Sequence, residues 1–284
     1  GIVLFTWCHR IFLPLAVSGI YMAVLILAGR QLLRLFLEER QLSAPIPFLQ
    51  RTSMCLVLGS ALWMVLVCLV SLTGHGGLML WRGLAAVMAL MAVVLEILWG
   101  RRNKQVLPGA WLKAVKNSAD KGRSESMAQA ALLAFIITMV LIQAGRMNIE
   151  LDYDSLHYGL RSAYVLDNGK GIYENLGMIN LVYTYSKVLE VLVLPLSGTP
   201  TYGFVLAFSL WCTVGILLLA ADIVGRYCGQ VKGILAAAIL AAIPGIMNMA
   251  ATAKSDNITL LHQLIIYDFI CFALWDGKQG KKSS

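Results

Sequence analysis

The sequence predicts an all-α integral membrane protein of about seven transmembrane helices, with one external loop that contains two juxtamembrane helices. Three observations predict it. Of 284 residues, 59% are hydrophobic and only 13% are charged, whereas soluble domains are typically about half apolar and about a quarter charged. Several apolar runs approach the roughly 20 residues that a helix needs to cross the hydrocarbon core. The net charge of +8 gathers between those runs, as a membrane topology distributes Lys and Arg, so nucleic acid is not an expected partner.

The runs bounded by charge or by Gly and Pro are residues 11–29, 54–72, 78–98, 128–145, 201–221, 233–250 and 257–275. Residues 1–7 fit the stump of an earlier helix. Each run must be helical because lipid offers the backbone no hydrogen-bond partner. Residues 99–127 set the orientation. They hold Arg101, Arg102, Lys104, Lys113, Lys116, Lys121 and Arg123 against Asp120 and Glu125, so they belong on the cytoplasmic side. Alternating from there puts Arg30, Arg34, Arg40, Arg51, Arg226, Lys232 and the Lys278–Lys282 tail on the same side. Residues 146–200 and 251–256 then fall outside, in a multi-pass cell-membrane protein whose active loop is non-cytoplasmic. Three parts follow: N-terminal transmembrane helices (1–98), the basic loop (99–127) and a core from 128 to 284. Trp7, Trp81, Trp99 and Trp275 fall near span ends, as an aromatic belt requires.

"INLVYTYSKVLEVLVLPL" at 179–196 is nearly long enough to span, but a further crossing would move the Lys-rich tail outside. With Lys187 and Glu190 near its middle, it reads as a helix lying at the interface. The external loop then runs over residues 146–200, long enough to be functional in its own right. It concentrates Glu150, Asp152, Asp154, His157, Arg161, Asp167, Lys170 and Glu174 in an otherwise greasy chain. If residues 155–166 are helical, Asp154, His157, Tyr158 and Arg161 share one face at i, i+3, i+4, i+7 spacing. Asp154 can equally be an N-cap of that helix, which leaves Asp152 unexplained.

A second external segment, "AATAKSDNITLL" at 250–261, is the charged break between the last two runs. Asp256 there can cap a helix starting at Asn257 while Lys254 snorkels to the headgroups. Alternatively, helix packing brings its charges beside the loop acids. A carboxylate near other acids in a desolvated site can take a proton from an acceptor hydroxyl, and Lys254 or Arg161 can stabilise a phosphate leaving group. Such a site suits a lipid-linked substrate.

An apolar helix, Asp154 with His157 and Tyr158, an amphipathic stretch ending before residues 169–173, "VYTYSKVLEVLVLPL", two spans and "TAKSDNITLLHQLIIYDF" follow in that order. The arrangement resembles the GT-C superfamily of membrane glycosyltransferases, in particular the branch of protein mannosyltransferases and aminoarabinose transferases. The likeness covers about residues 128–275 and is carried more by order and topology than by identity. It implies transfer of a sugar from a polyprenyl-phosphate donor to an acceptor on the non-cytoplasmic face, with inversion. It implies Asp154, with Asp152 as the alternative, as the catalytic acid of the first external loop, and Asp256 as a second external acid. Lys254, His157, Tyr158 and Arg161 would bind substrate. Two departures stand out: Asp154 is followed by Ser155 where the family has a second acid, and the family's later spans do not occur before Ser284. The chain therefore reads as such a transferase or the amino-terminal part of one. The carboxylates fit a reaction with or without a divalent cation, and no other cofactor is expected.

Two other classes compete. A transporter or flippase would depend on charges inside spans, for which Arg82 and Asp268 are the candidates. A noncatalytic scaffold would depend on no single acid. Glu96 and Asp222 lie near cytoplasmic ends, where charge is easily solvated. His9, His75 and His262 lack metal-ligand spacing, "DNGKG" at 167–171 lacks the phosphate-loop pattern and reads as a turn, and the six cysteines show neither a disulfide framework nor a CxxC pair.

Overall fold

A computed structural model describes residues 2–37, 46–102, 127–147, 153–160, 169–173, 188–198 and 202–280. Helices α1 (Ile2–Cys8), α2 (Phe12–Leu37), α3 (Phe48–Leu72), α4 (Leu78–Arg102) and α5 (Met127–Arg146) are followed by a π-helical turn, Ser155–Gly159. Next come α6 (Val188–Leu192), a 3-10 turn (Leu194–Leu196), α7 (Gly203–Cys228), α8 (Gln230–Ala242), α9 (Pro244–Met249) and α10 (Asp256–Gly280). The described residues contain no strand, and six helices are long and apolar enough to cross a membrane. The protein is an all-α, multi-pass membrane protein.

Six of the expected runs correspond to these helices, but most of the helices are longer than the charge-free windows. α2 continues through Arg30 and Arg34, and α3 begins at Phe48, taking in Gln50 and Arg51. A search for uncharged windows stops at the first charge, whereas a helix continues when that charge is paired. Glu96 on α4 supplies the pairing: it lies 3.0 Å from Arg30 and 2.7 Å from Arg34, and it accepts a 2.9 Å bond from Gln31.

The expected span at 233–250 is not one helix. It is α8 and α9 broken at Ile243, whose φ of −77° and ψ of 113° are extended. Pro244 has no N–H to continue the ladder and its ring disfavours a helical residue before it. The two short helices still carry the chain from one end of the bundle to the other. The end with residues 153–160 and 250–255 is termed the loop end, and the opposite one the far end.

α7 is the central helix, with 72% of its span buried against 17% for α4 and for α5. It packs on α2, α8 and α10. α2 and α3 form the closest pair, and their backbones touch: a Cβ on Gly29 would fall 1.8 Å from the Cys55 carbonyl oxygen, and one on Gly59 1.8 Å from that of Leu25. Small residues are what let membrane helices approach this far.

The expected interface helix is corrected where it is described. Residues 189–197 are all buried, wedged against α2, α3 and α4 rather than lying on the surface. Broken helix inside a bundle leaves carbonyls without partners, and these must be met from neighbouring helices. Tyr21 Oη donates to the Leu192 carbonyl at 2.8 Å and Trp63 Nε1 to that of Val191 at 2.9 Å. Arg82 donates to the carbonyls of Pro195 and Ser197, both at 3.2 Å. Trp81 is fully buried and so is not part of an aromatic belt. The "DNGKG" turn is described from Gly169 and docks on the α3–α4 connection, where Gly76 N–H donates to the Gly169 carbonyl at 3.0 Å. All six cysteines are free.

Candidate functional site

The loop end brings together two of the segments singled out from sequence. Lys254 Nζ lies 3.0 Å from Asp154 Oδ2. Neighbouring backbone contacts hold the pair in register: the Ala253 N–H donates to Ser155 Oγ at 3.0 Å, and Ser155 is fully buried. Gly159 lies against the Ala253 carbonyl oxygen, which a Cβ there would approach to 2.1 Å. Only glycine permits this contact. A segment that begins at the end of α5 is thus locked to one that follows α9, about a hundred positions later in the chain.

Asp154 does not act as a side-chain cap. Its backbone is helical, at φ −67° and ψ −40°, and its carboxylate makes no capping bond. Lys254 does not snorkel: its side chain is 11% exposed, whereas that of Asp154 is 43% exposed. The site is therefore a covered ammonium beside a carboxylate that remains open to its surroundings. Asp256 is the first residue of α10 and exposed, so it is not a cap preceding Asn257. Its charge there complements the helix dipole.

Of the expected common face of Asp154, His157, Tyr158 and Arg161, the one described side chain is that of Asp154. Residues Ser155–Gly159 wind as a π turn, whose i→i+5 bonding rotates successive side chains away from α-helical spacing. Asp152 and Arg161 lie outside the described residues, as do the side chains of His157 and Tyr158. Asn257, which formally begins a glycosylation acceptor, is buried and donates to Thr213 Oγ1 at 2.7 Å and to the Ile246 carbonyl at 3.2 Å. Its amide is committed inside the bundle.

Arg146 is a residue that sequence reasoning missed. It ends α5 at the loop end, exposed, and its Nη1 donates to Gln143 Oε1 at 2.8 Å and Asn248 Oδ1 at 3.2 Å. Its signal in the sequence is the cation that closes the apolar run 128–145. Among the described residues no three His, Cys, Asp or Glu side chains converge as a metal site. His262 Nδ1 meets the Ile258 carbonyl at 2.7 Å and His75 Nδ1 that of Thr73 at 2.8 Å; both are local contacts within one element or turn.

Below the loop end, an apolar cleft of about 400 Å³ opens between α1, α2, α5, α7 and α8. Ala144 and Thr6 line it, as do Val140, Trp211, Leu217 and Ala237. At the far end, Arg226 bridges Asp222, four residues earlier at 3.0 Å, and Asp268 on α10. Comparison with family models, characterised proteins and solved structures finds no match.

Proposed function

We infer that the protein is a membrane glycosyltransferase, or part of one, that moves a sugar from a polyprenyl-phosphate donor to an acceptor at the loop end, taken as the non-cytoplasmic face. The observation that carries this reading is the 3.0 Å bridge from Lys254 to an Asp154 that is 43% exposed. It sets one acid and one cation side by side on a surface joined to six membrane-spanning helices. The apolar cleft, with Ala144 two residues from Arg146 on the same helix, offers room for the lipid part of such a donor.

The reaction assigns a task to each group. The acceptor hydroxyl attacks the anomeric carbon, a new C–O bond forms there, and the bond from that carbon to the phosphate oxygen breaks. The proton of the hydroxyl passes to Asp154, and polyprenyl phosphate leaves with the electron pair. Lys254 is the cation that meets the phosphate charge as it develops. While Lys254 holds Asp154 Oδ2, the carboxylate is engaged; a donor phosphate that draws the ammonium away releases it for the hydroxyl. Asp256 and Arg146 add an acid and a cation at the same end. No step requires a metal to be written, and the carboxylates accommodate a divalent cation equally well.

Transfer from labelled polyprenyl-phosphate sugars by the lipid-reconstituted protein tests the reading. Asp154→Asn should lower turnover by about 10²- to 10⁴-fold, the usual contribution of a general base, with the fold intact. Unchanged transfer in that variant would remove Asp154 from the chemistry. Of the two charges on which the transporter reading would depend, Arg82 is bonded to two carbonyls of the wedged segment and Asp268 to Arg226.

A further inference from the structure

We propose that Asp268, at the junction of α3, α7 and α10, is an intramembrane proton-binding site that carries one proton in the closed bundle and donates it to Gln50. This stands independently of the role assigned to Asp154.

The geometry begins with a charge count. Arg226 reaches both Asp222 and Asp268, so among the described residues one cation bridges two acids, and the three ionised groups would hold a surplus negative charge. Asp222 is 29% exposed on its side chain and Asp268 only 1%. Asp268 shares Arg226 with Asp222, and of the two acids the enclosed one gains more from a proton, because a charge costs more in the interior than at an exposed position. The proton therefore belongs on Asp268.

The hydrogen bonds identify the oxygen. Asp268 Oδ1 accepts from Arg226, whereas Oδ2 is enclosed and has no partner among the described residues. Gln50 on α3 is 1% exposed. Its Nε2 donates to the backbone carbonyl of Asp268 at 3.4 Å, and its Oε1 is also enclosed without a partner among the described residues. Two adjoining residues thus each present an orphan acceptor. Buried polar groups are almost always satisfied, and a proton on Oδ2 gives the Gln50 oxygen its donor and removes the surplus charge in one step.

The remaining groups around the site do not supply that donor. On α7, Tyr227 lies beside Arg226 with its ring 5.9 Å away. On α3, Arg51 is within electrostatic reach of Arg30 and Cys55. α8, which packs on α7, carries Lys232 as its ionisable residue, and that side chain is exposed. On α10 itself, Tyr267 pairs with Cys271 and His262 bonds to Ile258. The site lies 12 residues along α10 from Asp256, about 18 Å at 1.5 Å per residue. It is thus well separated from the loop end.

Infrared spectroscopy of the lipid-reconstituted protein at neutral pH tests the proposal. Wild type should show the carbonyl band of a protonated, buried carboxyl that shifts in D2O, and Asp268→Asn should lack it. If Asp268→Asn does not fold, Gln50→Leu decides, because loss of the acceptor should move that band. A wild type without the band overturns the proposal. So does a band that survives Asp268→Asn or stays in place in Gln50→Leu.

Discussion

The two ends of the bundle handle charge in opposite ways. At the loop end, Asp154 meets the Lys254 ammonium while its own carboxylate stays open to the surroundings. At the far end, Glu96 is almost fully enclosed and receives bonds from Arg34 through both oxygens, from Arg30 and from Gln31. Arg34 also lies over the Trp99 ring at 5.3 Å. An ion in a low-dielectric interior must have every partner in place, or the cost of removing it from water is not offset. A pair with one partner open to its surroundings carries less of that requirement. The difference separates positions that hold the helices together from positions where one partner stays open to its surroundings.

That difference is sharpest at Glu96. Glu96→Ala should destabilise the protein by about 3–5 kcal/mol, because it removes the enclosed carboxylate that Arg34, Arg30 and Gln31 share. Denaturation in mixed micelles measures this. A loss of less than about 1 kcal/mol would mean that the far end is as tolerant as an exposed pair, and the contrast between the ends would fall.

Arg82 should come next. Its two bonds hold the carbonyls of Pro195 and Ser197, and hydrogen bonds from a charged donor contribute about 1.5–3 kcal/mol. Arg82→Leu should therefore destabilise by about 2 kcal/mol and loosen the wedged segment, seen as faster hydrogen exchange in residues 188–198. Exchange unchanged there would show that Tyr21 and Trp63 suffice to hold the segment.

Much of this architecture is legible in the residues, for physical reasons that also explain what is not. Length and hydropathy locate helices because lipid leaves the backbone no alternative, and six of the seven runs appear as continuous helices. Pro244 is visible in the last but one run, yet hydropathy averages across a proline, so the break at Ile243 escapes it. The 179–196 stretch is misplaced by its composition where it is described, since its fate rests on three donors, Tyr21, Trp63 and Arg82, that lie far away in sequence and show no spacing relation to it. Asp154 and the 250–256 segment are legible as polar interruptions on one side of the membrane. Their pairing through Lys254 can be foreseen only as a general approach of the two segments, because the π turn and the Gly159–Ala253 contact that fix its register depend on tertiary packing. Asp268 stands out by its depth alone; its bond to Arg226, 42 positions away, has no local signature.

The smallest expected effect belongs to the loop-end pair itself. A double-mutant cycle of Asp154→Asn and Lys254→Met should give a coupling to stability of about 0.2–1 kcal/mol, the range of exposed ion pairs. The backbone contacts of Ser155 and Gly159 to Ala253 remain in both variants, so the two segments should stay docked when the charges are removed. A coupling of about 3 kcal/mol or more would instead give this pair the character of a buried one and make it a structural lock. With a small coupling and a Lys254→Met variant of wild-type stability, a large loss of sugar transfer cannot be ascribed to unfolding. On the proposed reaction it would then reflect the missing cation at the phosphate, and the same variant reports on stability and chemistry separately.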